Sequence, residues 1–214
     1  MLVGFERRTA GQLAWVKLSV LLKVALLASL ATVLMNIQVP TFLPFLKYDP
    51  SEVPALVAGF ALGPLAGLAV VLLKNLIFLG THFQPQEFFG IPFNTIAGFT
   101  FVGTSSSLYR MKKTKRMGKA SLFLGALAMT LVMIPTQMVL YPIFQAWFLP
   151  QQQAMQQDAL VNFILKIVVP FNILKGSLTS AITYFTYKRF SRILKSESLW
   201  DADAESSPLG APVR

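Results

Sequence analysis

The stretch PTFLPFLKYDPSEVPALVAGFALGPLAGLAVVLLK, Pro40 to Lys74, decides how the rest of the chain is read. It opens as a loop stiffened by Pro40, Pro44 and Pro50, each of which fixes its own φ and drives the preceding residue toward extended backbone. It carries one charged phrase, Leu46-Lys47-Tyr48-Asp49-Pro50-Ser51-Glu52, and then turns apolar. Gly63-Pro64 breaks the apolar run, and Lys74 ends it inside hydrophobic sequence. A stiff charged loop between apolar helices costs free energy unless it closes over something. The stretch therefore reads as the lid and one wall of a ligand site in a membrane protein.

Composition agrees. Of 214 residues, 54% are hydrophobic and only 13% charged, where a soluble domain carries about 25% charged residues. There is no cysteine, which excludes a disulfide framework and thiolate chemistry. The net charge of +10 does not point to nucleic acid, because the basic residues lie between apolar runs and toward the ends rather than on one face.

Apolar runs and breaks predict six helices, at about 18–37, 52–62, 64–79, 93–109, 120–149 and 164–190, in one membrane domain over 1–195; residues 196–214 are expected to form a disordered tail. About 20 apolar residues span a bilayer as a helix, so the second segment is too short to cross unless protein shields it. Ser51 is the expected N-cap of that segment, with Pro54 in its first turn. Gly80 to Pro92 and Pro150 to Asp158 read as polar loops, Pro135 and Pro142 as bends, and Pro170 as a split in the last apolar stretch. An even number of crossings puts both ends on one side. That side holds Arg7, Arg8, Lys17, six basic residues between Arg110 and Lys119, and the basic end near Lys195. The excess of Lys and Arg makes this side cytoplasmic.

Chemistry is read first from what is missing. The chain has no phosphate-binding GxxxxGK[ST] and no HExxH, and its one histidine, His82, sits in a polar loop, so no catalytic set is visible. What stands out is polarity inside apolar sequence: Lys74, Asn94, Gln137, Asn172 and Lys175. A charge at the centre of a spanning helix costs about 2.5–3.5 kcal/mol on insertion scales and marks function by default. Asn172 and Lys175 are three apart and share a helix face. The plainer reading of Lys74, Lys23 and Lys175 is a snorkelling or ion-paired lysine. Asp49 and Glu52 are candidate partners, or acids favouring the start of the second helix. Small residues at fourfold spacing, Ala25/Ser29, Ala28/Thr32 and Gly59/Gly63/Gly67, allow close helix approach, either to a partner or within the bundle.

The phrase FLKYDPSEVPALVAGFALGPLAG with VVLLKNLI, then GIPFNTIAG (Gly90 to Gly98) and PFNILKG (Pro170 to Gly176), resembles the riboflavin-specific S component of energy-coupling factor (ECF) transporters, the RibU family. The resemblance covers most of the chain. It implies an all-α bundle of six transmembrane helices with cytoplasmic termini, in the cell membrane. It further implies a non-enzymatic subunit that holds riboflavin, as transported ligand rather than cofactor, under the first loop. The partners implied are an EcfT-type transmembrane subunit and two ABC ATPase subunits. Ligand contacts would come from Leu46, Lys47, Tyr48, Asp49, Glu52, Asn94, Gln137, Asn172 and Lys175, with Phe45, Tyr48, Phe93 and Tyr141 forming an apolar slot. ALLAS would supply the docking residues Ala25, Ala28 and Ser29. The alternatives are an S component for another small vitamin, or a membrane scaffold or enzyme that ignores flavin.

Overall fold

A computed structural model describes residues 2–41, 47–82, 87–148 and 155–195, and nearly all of them are helical. The predicted tail 196–214, and Phe45 and Leu46 of the first loop, lie outside the described residues. Helix α1 runs from Leu2 to Met35. It starts well before the expected residue 18, because nothing between Leu2 and Leu18 stops a helix: there is no proline. Its last carbonyls are capped in part by Asn36, whose Nδ2 donates to Thr32 O at 2.9 Å. A minimal antiparallel pair follows, β1 (Val39–Pro40) with β2 (Lys47–Tyr48). It returns the chain toward the bundle at the start of α2.

Helix α2 (Glu52–Ala61) is ten residues long, and every residue from Glu52 to Phe60 is buried. It is shielded by protein on all sides, packing against α1, α3 (Pro64–Thr81), α4 (Glu87–Met111) and α7 (Val169–Lys195). The α2–α3 turn needs Gly63, whose φ of 113° is closed to L side chains without strain. Pro64 restarts the helix at a position where a missing N–H costs nothing. The glycine spacing serves this hairpin: a Cβ on Gly67 would lie 2.9 Å from both Gly59 Cα and Ala55 O.

Two expected breaks are helical. Helix α4 begins at Glu87 and runs through Pro92, not from residue 93. Proline near a helix start forfeits one backbone bond, and flanking apolar packing offsets that loss. Likewise Pro170 does not split the last stretch. Helix α6 (Gln157–Phe163), a π-turn (Ile164–Val168) and α7 form one run, the wider turn falling just before the proline. A π-turn admits an extra residue per turn, which relieves the clash of the proline ring with the preceding turn. Helix α5 (Lys115–Phe148) passes through Pro135 and Pro142, and begins on residues expected in the basic loop, with Thr114 Oγ1 accepting from Met117 N at 3.1 Å.

Among the described residues, four helical stretches are long and apolar enough to cross a membrane: Leu18–Met35, Pro64–Thr81, Lys115–Trp147 and Gln157–Tyr187. Their outward faces are apolar, with Leu21, Leu26, Phe123 and Phe185 exposed. The interior holds Ala28, Leu56, Val71, Phe101 and Met129. A soluble protein would not leave so many large apolar side chains in water; lipid makes them neutral.

Candidate ligand-binding site

Glu52 and Lys74 stand eleven residues on either side of Gly63. In an antiparallel hairpin pivoting there, each lies about 16 Å from the turn at 1.5 Å per residue, so the two meet at the same depth. They form an ion pair, Lys74 Nζ to Glu52 Oε1 at 3.0 Å, with both side chains 0% exposed. Lys74 is therefore not snorkelling. Its ammonium also donates to Ser51 Oγ at 2.5 Å. Ser51 makes no side-chain cap to α2; its hydroxyl and its N–H both donate to Asp49 Oδ1. The expected capping role is overridden because a buried lysine and carboxylate offer stronger partners than a helix N–H.

Lys175 of α7 enters from the opposite wall. Its Nζ lies 3.3 Å from Glu52 Oε1 and 3.7 Å from Asp49 Oδ2, and donates to Asn94 Oδ1 at 2.8 Å. Asn94 in turn donates from Nδ2 to Asn75 Oδ1 at 3.2 Å, and Asn75 donates from Nδ2 to Thr95 Oγ1 at 3.0 Å. Two ammonium groups face two carboxylates, so the cluster is neutral, and four segments contribute to it. One carboxylate oxygen, Glu52 Oε2, is buried without a hydrogen-bond partner among the described residues. Burial opposes ionisation of Asp49, but Lys175, Lys74 and the bonds from Ser51 outweigh it and hold its carboxyl below the usual 3.8.

Asn172 sits one turn before Lys175 on the same face, with Nδ2 donating to Val168 O at 2.8 Å, the carbonyl at the end of the π-turn. That orientation turns Oδ1, an acceptor, away from the backbone. Tyr48 is buried, its hydroxyl 3.3 Å from Thr179 Oγ1, and burial raises its phenol above the ordinary value. Lys47 is exposed and donates to Gln38 Oε1 at 2.8 Å.

The structure thus joins Tyr48, Asp49, Glu52, Asn94 and Lys175 of the expected set, with Asn172 beside them. It does not join Gln137 and Tyr141. Gln137 is half-buried on α5, and no hydrogen bond among the described residues links it to the network. Tyr141 packs on Phe163 at 5.6 Å in a separate cluster with Leu160, Ile164 and Val168. Nearby, a hollow of about 280 Å³ lies between α5 and α6, lined by Met138, Pro142, Met155, Gln157, Leu160 and Val161, away from the charged cluster. Phe93 packs against the main core. His82 stacks on Phe78 at 4.2 Å, and its Nδ1 lies 3.0 Å from Thr81 Oγ1, apart from the charged cluster. Of the docking set, Ala25 and Ser29 are exposed, whereas Ala28 is 1% exposed inside the bundle. Sequence reading missed Ser51, Asn75, Thr95 and Thr179. The equal spacing of Glu52 and Lys74 about Gly63 is the signal that would have paired those two.

A lipid-facing helical bundle whose centre carries paired charges and amides, reached by an inward-folded loop, defines an integral membrane protein built around a polar interior. Residues 19–187 match the family described as ECF transporter, substrate-specific component, and the chain belongs to that family. It is 33% identical over 172 residues to the riboflavin transporter FmnP of Bacillus subtilis, covering 78% of this chain and 88% of that one. It is 33% identical over 178 residues to the riboflavin transporter RibU of Staphylococcus aureus, covering 82% and 92%. A solved structure of the S component of a bacterial ECF transporter superposes with a TM-score of 0.65 at 28% identity, covering 84% of this chain and 99% of that one.

Proposed function

We propose that this chain captures riboflavin from the outer face and delivers it inward when docked on an ATP-driven energizing module. The observation that carries the reading is the Asn172–Lys175 face of α7, set in a neutral buried network within a family whose relatives are riboflavin transporters. With one amide hydrogen of Asn172 on Val168 O, its Oδ1 and its second N–H remain as an adjacent acceptor and donor, beside Lys175, whose ammonium already faces Asn94, Glu52 and Asp49. That polarity matches the imide edge of an isoalloxazine, an N–H next to a carbonyl. A neutral cluster suits an uncharged vitamin, since no net charge is left buried when it binds. Tyr48, Asp49, Glu52 and Asn94 belong to the site, as do Lys47, Leu46, Gln137 and Tyr141 as outer contacts around the ring and its hydroxylated chain.

In this reading the chain crosses the membrane six times, α6, the π-turn and α7 counting as one crossing, with both ends cytoplasmic. Ala25 and Ser29 form the notch on α1 for an EcfT-type transmembrane subunit, and two ABC ATPase subunits hydrolyse the ATP. The test is the absorption spectrum of detergent-purified protein and its quenching of riboflavin fluorescence. Yellow protein with saturable, stoichiometric quenching supports the reading. Colourless protein that leaves added riboflavin fluorescent overturns it.

A further inference from the structure

Thr179 differs from most threonines of the spanning helices. Thr32, Thr95, Thr100, Thr130 and Thr136 all return their hydroxyls to a carbonyl four residues back in their own helix. That is the economical choice where no water is at hand. Thr179, 0% exposed, instead meets the hydroxyl of Tyr48, 131 residues away in sequence. It lies one turn after Lys175 on the same face of α7. Consecutive loop residues therefore touch consecutive turns of one helix: Tyr48 at Thr179 and Asp49 at Lys175. A single attachment lets a loop swing about it; two attachments a turn apart fix its direction and its rotation. Ser51, held by Lys74, adds the third point from α3.

We infer that Thr179 is a positioning residue of the binding site: by holding the Tyr48 hydroxyl it sets Asp49 against Lys175 and makes residues 48–52 part of the rigid bundle. Ahead of Tyr48 the described anchors are slighter, the two-residue pairing of β1 with β2 and the exposed Lys47–Gln38 bond. Thr179 needs no contact with ligand for this; it acts through Tyr48 on the groups that do.

The affinity arm of the test rests on the riboflavin reading; a second arm does not. Thr179→Val keeps the side-chain outline and deletes the hydroxyl. In detergent-purified protein, hydrogen exchange at the amides of Tyr48, Asp49 and Ser51 is expected to accelerate about tenfold without ligand, with Thr179→Ser restoring protection. Riboflavin dissociation, followed by fluorescence recovery, is expected to accelerate about fivefold, as loss of one buried hydrogen bond implies, with the binding stoichiometry unchanged. Tyr48→Phe should match Thr179→Val, and the double variant should be no worse than either single one, since both remove the same bond. Exchange within twofold of the parent, additive singles, or failure of serine to restore protection overturns the inference. If the parent does not bind riboflavin, the functional reading falls, and the exchange arm still decides the role of Thr179.

Discussion

At the scale of single residues, Lys175 carries more than any other side chain in the cluster. It supplies the donor to Asn94 and the second cation to Glu52 and Asp49. Replacing it with alanine deletes a cation of the proposed ligand site and leaves two carboxylates facing one lysine. Hydrogen bonds to charged groups contribute about 1.5–3 kcal/mol, so Lys175→Ala should weaken riboflavin binding by roughly ten- to a hundredfold, read from a quenching titration. Unchanged affinity would remove its role. Asp49 gives a pH prediction. Its carboxyl is held below its ordinary value by Lys175, Lys74 and Ser51, with Glu52 and Tyr48 also facing it. A lowered folded-state value means the stabilisation is complete above the ordinary carboxylate range and is lost as pH falls through the folded value. Thermal stability should therefore be flat with respect to Asp49 from about pH 8 to about pH 5 and fall below about pH 4. Asp49→Asn should lower the plateau and shrink the acid-side drop. Residue types alone flagged Lys74, Asn94, Asn172 and Lys175, because polar groups in apolar sequence are conspicuous. They could not pair them, since pairing depends on which helices are neighbours.

At the scale of elements, α1 places the members of one small-residue motif on two different faces. Ala25 and Ser29 face outward, while Ala28 is enclosed among the bundle's core residues. Ala25→Trp should block assembly with the energizing module and leave riboflavin affinity within about twofold. Ala28→Trp should lower thermal stability and riboflavin binding together, because overpacking a filled core costs about 1–3 kcal/mol or more. Copurification with the partner subunits, run beside a melting curve, separates the two outcomes. Assembly retained by Ala25→Trp would place docking elsewhere. Helix existence was readable from hydropathy, and so were the Gly63-Pro64 break and the shortness of α2. The helix limits at Pro92 and Pro170 were not. A proline marks a local cost, but whether a helix continues past it depends on packing and on a compensating π-turn.

At the scale of the whole molecule, charge asymmetry makes a topological prediction that the absence of cysteine renders easy to test. Lys113 lies on the short basic link between α4 and α5, and Gln157 begins α6 at the opposite end of the bundle. Single cysteines at the two positions should react with an impermeant maleimide from opposite faces of the membrane, Lys113→Cys only from the cytoplasmic one. Labelling of both from the same face would overturn the six-crossing arrangement. The sequence by itself determined the membrane habitat, the order of apolar segments and the clustering of basic residues between and after them, because hydropathy and charge are additive along the chain and need no knowledge of neighbours. The tertiary structure alone decided the rest. It folded α2 into the centre, brought Glu52 and Lys74 to one depth and Lys175 across to meet them, and bound Tyr48 to Thr179. It also placed Gln137 and Tyr141 outside that network. These are contacts between segments far apart in sequence, fixed only when close packing selects which faces meet.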